Sequence, residues 1–237
     1  MMAKDALYAI IPAGGIGKRM QSQKPKQFLT IDNEPILCKT LKTLADTGLF
    51  SKFIIPTIDV VYTKKIIKSS LPDLQNVIVI KGGTNRQESI DIGLQLIKDE
   101  ELLPEFVLIH DAVRALVKKE TIQAVIQKAQ LTGAAIAARP VTDTIKLSHM
   151  KGNEVVIKKN ISRDFMWLAQ TPQVFRTEML IEAYVLAKRD HFIGTDSAGL
   201  VERLGIDVHI VESLPSNIKI TTPEDLELAI LYFRSQK

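Results

Sequence analysis

Two hydrophobic periods alternate along the chain. Short apolar runs occur at Ala6 to Ile11, Phe53 to Ile55, Val77 to Ile80, Phe106 to His110, Ala134 to Ala138 and Val208 to Glu212, each bounded by turn-forming residues, as buried strands are. Between them the spacing turns helical: Ile66, Ile67 and Leu71, then Ile90, Leu94 and Ile97, then Ile122, Val125, Ile126 and Ala129. Strand and helix in strict alternation predict an α/β fold, a mostly parallel sheet with helices on both faces. Pro56 cannot donate to a ladder, so the second strand is expected to end at Ile55.

The alternation breaks between Arg139 and Arg163. Thr144–Ser148 and Val155–Lys158 flank Met150-Lys-Gly-Asn153, which predicts two short strands about a turn. This is read as a projecting β-arm over residues 139–163, set between the two parts, 1–138 and 164–237, of one α/β domain. Such a hairpin is marginal alone, so a second subunit is its expected support. A helix is predicted over Thr177 to Arg189. The last helix is marked by Thr222 as N-cap, Pro223 at its first position and Asp225 at its third.

Composition narrows the classes. A chain of 237 residues with 46% apolar and 24% charged residues can bury a substantial core. Its net charge of +4 is spread out rather than gathered into a basic stripe with interleaved aromatics, which argues against nucleic acid as partner. The single cysteine, Cys38, sits in an amphipathic pattern with Ile36, Leu37, Thr40, Leu41 and Leu44 and reads as a buried small apolar residue. No run reaches signal-peptide or membrane-spanning length, so a cytoplasmic protein without a membrane partner is expected.

The first strand ends in Ile11-Pro-Ala-Gly-Gly-Ile-Gly-Lys-Arg-Met20, followed by Lys24-Pro-Lys-Gln-Phe28. Glycines here allow backbone N–H groups to approach phosphate oxygens, and Lys18, Arg19 and Lys26 add positive charge. The stretch is not a P-loop, because Pro12 stands where the first glycine belongs and Arg19 follows Gly17-Lys18. A dinucleotide fingerprint beginning at Gly15 fails at Met20. A plain strand-to-helix turn with solvated charges is the alternative.

Ligands of open parallel sheets gather beyond the carboxyl ends of strands, where this chain places Gly82-Gly-Thr-Asn-Arg-Gln-Glu-Ser89, His110-Asp-Ala-Val-Arg114 and Asp143-Thr144. Asp111 suits Mg²⁺, which takes one or two carboxylates plus phosphate oxygens, or else caps a helix or pairs with Arg114. His110 reads as a packed strand-end residue and Ser89 as a hydrogen-bond donor or helix-start residue. Alternation turns Ile218 and Ile220 one way and Lys219 the other, toward solvent or toward phosphate.

Taken in order, the glycine loop with Lys26-Gln27, Gly82-Gly-x-x-Arg86-x-x-Ser89, His110-Asp-Ala-Val-Arg114, Asp143-Thr-Ile-Lys146, Gln170-Thr-Pro-Gln173, Thr195-Asp196 and Asn217-Ile-Lys-Ile-Thr221 span nearly the whole chain. Together they resemble the 2-C-methyl-D-erythritol 4-phosphate cytidylyltransferases. The resemblance implies a Rossmann-like nucleotidyltransferase fold, a homodimer joined through the β-arm, and a reaction of CTP with a polyol phosphate, methylerythritol phosphate. It further implies that Arg19, Lys26 and Lys219 contact the CTP phosphates and stabilise the transition state, and that Asp111 holds Mg²⁺. By the same likeness Ala13, Gly14 and Gly15, with Gly83, Thr84 and Ser89, recognise cytosine and ribose. Arg114, with Thr144 and Arg163 of a partner's arm, would hold the sugar phosphate.

Four positions depart from the family pattern: Ala115 replaces a usual Pro, Ser197 a frequent Asp, Gly14 an Ala and Thr84 an acidic residue. Two alternatives stand beside this reading. One is ribitol-5-phosphate cytidylyltransferase, which Met166 and Glu88-Ser89-Ile90 resemble, although Lys146, Trp167-Leu-Ala-Gln170 and Ser197-Ala198 fit it less well. The other is a catalytically silent nucleotide-binding module, since fold alone does not give activity.

Overall fold

A computed structural model describes residues 6–15, 18–20, 22 and 24–235. Gly17 and the side chain of Lys18, both singled out above, lie outside the described residues. The central strand β1 (Leu7–Ile10) pairs in parallel with β4 (Lys52–Thr57) on one side and β6 (Phe106–Ile109) on the other. Between β1 and β4 in the chain lies a short antiparallel pair, β2 (Thr30–Ile31) and β3 (Glu34–Pro35). Beyond β4 lies β5 (Val77–Lys81), and beyond β6 come β10 (Trp167–Arg176), β7 (Ala134–Pro140) and β11 (His209–Glu212), completing a seven-stranded sheet. Within this sheet, among the described residues, only β10 runs antiparallel to its neighbours.

The two-residue period of the strands divides their side chains between two cores. Leu7, Ala9, Phe53, Ile55, Phe106 and Leu108 face α1 (Ile36–Ala45), α2 (Val60–Ser70) and α4 (Lys119–Thr132). Ile10, Ile54, Val107 and Ile109 face α3 (Arg86–Lys98), α5 (Thr177–Arg189) and α6 (Ser197–Glu202). Cys38 is fully buried in the first of these cores. Each large side chain so buried contributes roughly 1.5–3 kcal/mol, and both sheet faces are therefore covered as parallel sheets require. A third core forms where α7 (Pro223–Arg234) covers Ile31, Ile36, Val113 and Ile220. Thr222 and Asp225 complete its capping box, as the sequence predicts.

Two elements differ from expectation. Strand β4 continues through Pro56, whose carbonyl accepts from Ala13 N–H at 2.7 Å while Ile55 pairs with Val79. A missing donor is tolerated because only one ladder bond is lost. Strand β10 is not predicted by the sequence pattern, because Gln170-Thr-Pro-Gln173 interrupts it. There the Thr171–Pro172 peptide is cis and the register against β7 shifts between Ala169 and Gln173.

The main sheet extends to the pair Pro140 and Trp167. Between them a separate hairpin, β8 (Ile145–Lys151) and β9 (Glu154–Ile161), turns through Gly152 at φ +61. It leaves Met150, Val155 and Ile157 exposed. Among the described residues no helix is long and apolar enough to cross a membrane.

Candidate active site

Three strand ends and one late segment meet at a cavity of about 520 Å³ lined by Ala13, Gly14 and Gly15 after β1, Gly82 to Arg86 after β5, Asp111 after β6, and Lys26, Ser89 and Lys219. The loop after β1 is pinned from beneath. Buried Gln27 donates to the Ala13 carbonyl at 2.7 Å, which leaves the adjacent Lys26 at the cavity wall. Gly14 packs so closely that a Cβ there would stand 3.3 Å from Ser89 Oγ. An alanine there would need the hydroxyl to give by a few tenths of an ångström, and no unusual φ calls for glycine.

Ser89 sits in the first turn of α3, whose N-cap Asn85 accepts from Glu88 N–H. The Ser89 hydroxyl donates to Asn85 O at 2.8 Å and accepts from Gly83 N–H at 3.1 Å, so it braces the glycine turn that borders the cavity. At Gly83 a Cβ would run into the Glu88 side chain at 2.3–2.7 Å, so only glycine fits. The neighbouring Thr84 N–H is engaged by Glu88 Oε2 at 2.7 Å.

Asp111 is the electrostatic centre. Its Oδ1 accepts from Arg86 Nε at 2.9 Å, and its Oδ2 lies 2.9 Å from Lys219 Nζ and 3.4 Å from Arg114 Nε. Burial alone would raise this carboxyl, but Arg86, Lys219 and Arg114 outweigh it and hold the group far below the ordinary carboxylate range. Lys26 is affected in the opposite sense. Burial, then repulsion from Lys219 and Arg19 only partly offset by Asp111, lowers it from 10.5 to about 8.

His110 is fully buried and lies 3.1 Å from Thr171 Oγ and 3.2 Å from the Arg114 carbonyl. That carbonyl can only accept, so Nε2 carries the proton and Nδ1 accepts from Thr171. Thr171 Oγ in turn accepts from Asp111 N–H at 3.0 Å. Burial lowers His110 to about 4, keeping it neutral. It is a packed strand-end residue, as expected, but one that also fixes the turn carrying Asp111.

The other expected residues are placed less centrally. Arg19 is exposed in a 3₁₀ turn over Lys18–Met20 and reaches the cavity only through its field on Lys26. Arg114 is buried, with Nε toward Asp111 and Nη1 donating to the Asn217 carbonyl at 2.7 Å. Thr144 and Arg163 are exposed on the arm, outside the cavity lining of their own chain, and the Arg163 guanidinium donates to Thr142 O. Ser197 is buried against the Tyr184 hydroxyl at 2.9 Å.

The sequence pattern assigns no role to Arg86, Gln27 or Asn217. Arg86 did carry a signal. A cation at the first position of a helix opposes the macrodipole, so it calls for a carboxylate partner, here Asp111.

A fixed carboxylate ringed by cations, beside glycine turns at strand ends, can hold a triphosphate and stabilise charge that develops on it. The family model for 2-C-methyl-D-erythritol 4-phosphate cytidylyltransferase matches residues 7–235. A curated protein of that name from Syntrophus aciditrophicus is 40% identical over 236 residues, covering 99% of this chain and 98% of its own. The crystal structure of the Francisella tularensis 2-C-methyl-D-erythritol 4-phosphate cytidylyltransferase superposes with a TM-score of 0.79 at 32% identity, covering 98% of this chain and 100% of that one. That of the 4-diphosphocytidyl-2C-methyl-D-erythritol synthase from Anaerococcus prevotii gives 0.80 at 29% identity, with 97% and 96% covered. With a parallel sheet that gathers glycine turns, Lys26, Asp111 and Lys219 at one cavity, the chain belongs to the 2-C-methyl-D-erythritol 4-phosphate cytidylyltransferase family.

Proposed function

We propose that this cytidylyltransferase joins CTP to 2-C-methyl-D-erythritol 4-phosphate, giving 4-diphosphocytidyl-2-C-methyl-D-erythritol and pyrophosphate by in-line attack on the α-phosphorus. The observation that carries this reading is the convergence of Lys26 and Lys219 on one cavity around Asp111. The sugar phosphate is the nucleophile and pyrophosphate leaves, so no covalent enzyme intermediate is required.

The chain's own residues supply position and charge. Backbone at Ala13, Gly14 and Gly15, with Gly83, Thr84 and Ser89, seats the nucleoside. Lys26 and Lys219, with Arg19 at the rim, hold the triphosphate and offset charge gathering on the equatorial oxygens and the leaving group. The sugar phosphate is held by Arg114 with Thr144 and Arg163 from the arm of a second copy in a homodimer, where planar guanidinium groups meet phosphate oxygens in pairs.

Asp111 is the carboxylate suited to Mg²⁺. Among the described residues there is no cluster of three acidic, histidine or cysteine side chains, so a single carboxylate fits only a metal whose other ligands are substrate phosphates and water. When bound there, Mg²⁺ would neutralise charge on the triphosphate. Arg86, Lys219 and Arg114 hold the Asp111 oxygens in a fixed orientation.

The test is pyrophosphate release by purified protein with CTP and Mg²⁺, offered either methylerythritol phosphate or ribitol phosphate. Release with methylerythritol phosphate is expected. Release only with ribitol phosphate, or with neither, would overturn the reading.

A further inference from the structure

Lys219 projects from a segment, 213–221, that belongs to no helix or strand of the main sheet. Its ammonium is nevertheless placed 2.9 Å from Asp111 Oδ2. A lysine stem has rotamer freedom of its own, so where its head can reach depends on where its root is held. The root is held on both sides. On one side Ile220 N–H donates to the Val113 carbonyl at 3.0 Å, and the Ile220 side chain is buried under α7.

On the other side stands Asn217, almost fully buried. Its Nδ2 donates to Gln170 Oε1 at 3.0 Å and to the Thr171 carbonyl at 2.9 Å, both on β10, with Ser213 Oγ farther off at 3.4 Å. Its backbone carbonyl accepts from Arg114 Nη1 at 2.7 Å. Asn217 thus ties the Lys219 segment to β10 and to the turn that carries Asp111. An apolar residue of similar volume could fill the space and would keep the backbone carbonyl, but it would lose the link to β10.

We infer that the Asn217 side chain positions Lys219, acting through the Nδ2 bonds to Gln170 and Thr171. The inference rests on the reading of Lys219 as a phosphate cation. Displacing a catalytic cation by as little as ~1 Å can cost on the order of 10²-fold in rate. Loss of Asn217 should therefore act on turnover and should require Lys219 to be present.

The experiment is a double-mutant cycle on kcat at saturating CTP and methylerythritol phosphate, with Asn217→Ala, Lys219→Ala and the pair. Asn217→Ala is expected to lower kcat by about 30- to 100-fold, more than it raises KM for CTP, and to add less than about threefold in the Lys219→Ala background. An equal fold-loss in both backgrounds, the signature of general destabilisation, would overturn the inference. So would Asn217→Ala with near-normal kcat while Lys219→Ala is impaired, and that result leaves the phosphate role of Lys219 standing. Full turnover by Lys219→Ala would overturn both. If Asn217→Ala does not fold, Gln170→Ala takes its place, removing one acceptor and keeping the Thr171 carbonyl. It should show a smaller loss, again absent without Lys219, and a loss that persists without Lys219 would overturn the inference.

Discussion

The Lys219 ammonium meets Asp111 Oδ2 at 2.9 Å, and the two ends of this ion pair are unequally placed: the lysine side chain is 37% exposed and the aspartate 8%. The contact joins a turn after β6 to a segment near the end of the chain. Both residues line the cavity that the glycine turns border.

That inequality predicts stability losses of unequal size for removing either partner. Lys219→Met leaves Asp111 with Arg86 and Arg114 and removes a well-solvated charge, so it should cost less than about 1 kcal/mol. Asp111→Asn leaves three cations facing one another without a counter-charge and should cost about 3–5 kcal/mol. Urea unfolding of the two variants measures this, and the reverse order would contradict the burial pattern.

Lys26 should set an alkaline limit on activity. Its ammonium, lowered to about 8, is lost as pH rises through that value and not near 10.5. The value of kcat/KM for CTP, which reports on free enzyme, should fall above pH 8, and Lys26→Arg should flatten that limb at a lower plateau. Lys26→Ala should lower turnover by about 10²–10³-fold with an unchanged melting temperature. A wild-type profile flat to pH 9.5 would remove this ammonium from the mechanism.

His110 should make stability fall in mild acid. Its folded-state value, about 4, lies below the ordinary 6.5, so unfolding takes up a proton between those values. The stability it contributes is complete above pH 6.5 and is lost as pH falls toward 4, amounting to roughly 3 kcal/mol. Below pH 4 the carboxylates take over. Unfolding free energies at pH 7.5, 6 and 4.5 should show this slope, and His110→Gln should remove most of it.

If the arm of one copy completes the site of another, two inactive variants should rescue each other. Lys26→Ala damages the cavity and Arg163→Ala the arm. A 1:1 mixture of re-associated dimers then places one intact site in each heterodimer, which makes about a quarter of all sites. Activity at that level is expected, and no recovery after confirmed subunit exchange would mean that each chain uses its own arm.

The order of residues by itself determined the alternating elements, the helix over Thr177–Arg189, the capping box at Thr222 and the side of the chain on which Lys219 emerges. Each of these rests on neighbours within a turn or two, where the periods 2 and 3.6 and the capping preferences act. Tertiary structure alone decided that β4 passes through Pro56 and that β10 enters the sheet antiparallel across Gln170-Thr-Pro-Gln173. It also decided that Arg86, Arg114 and Lys219 share one carboxylate. Those outcomes depend on partners far away in sequence. A strand with a proline is stable only if its neighbours supply the remaining ladder bonds, and a cation at a helix start is stable only if the fold brings it a counter-charge.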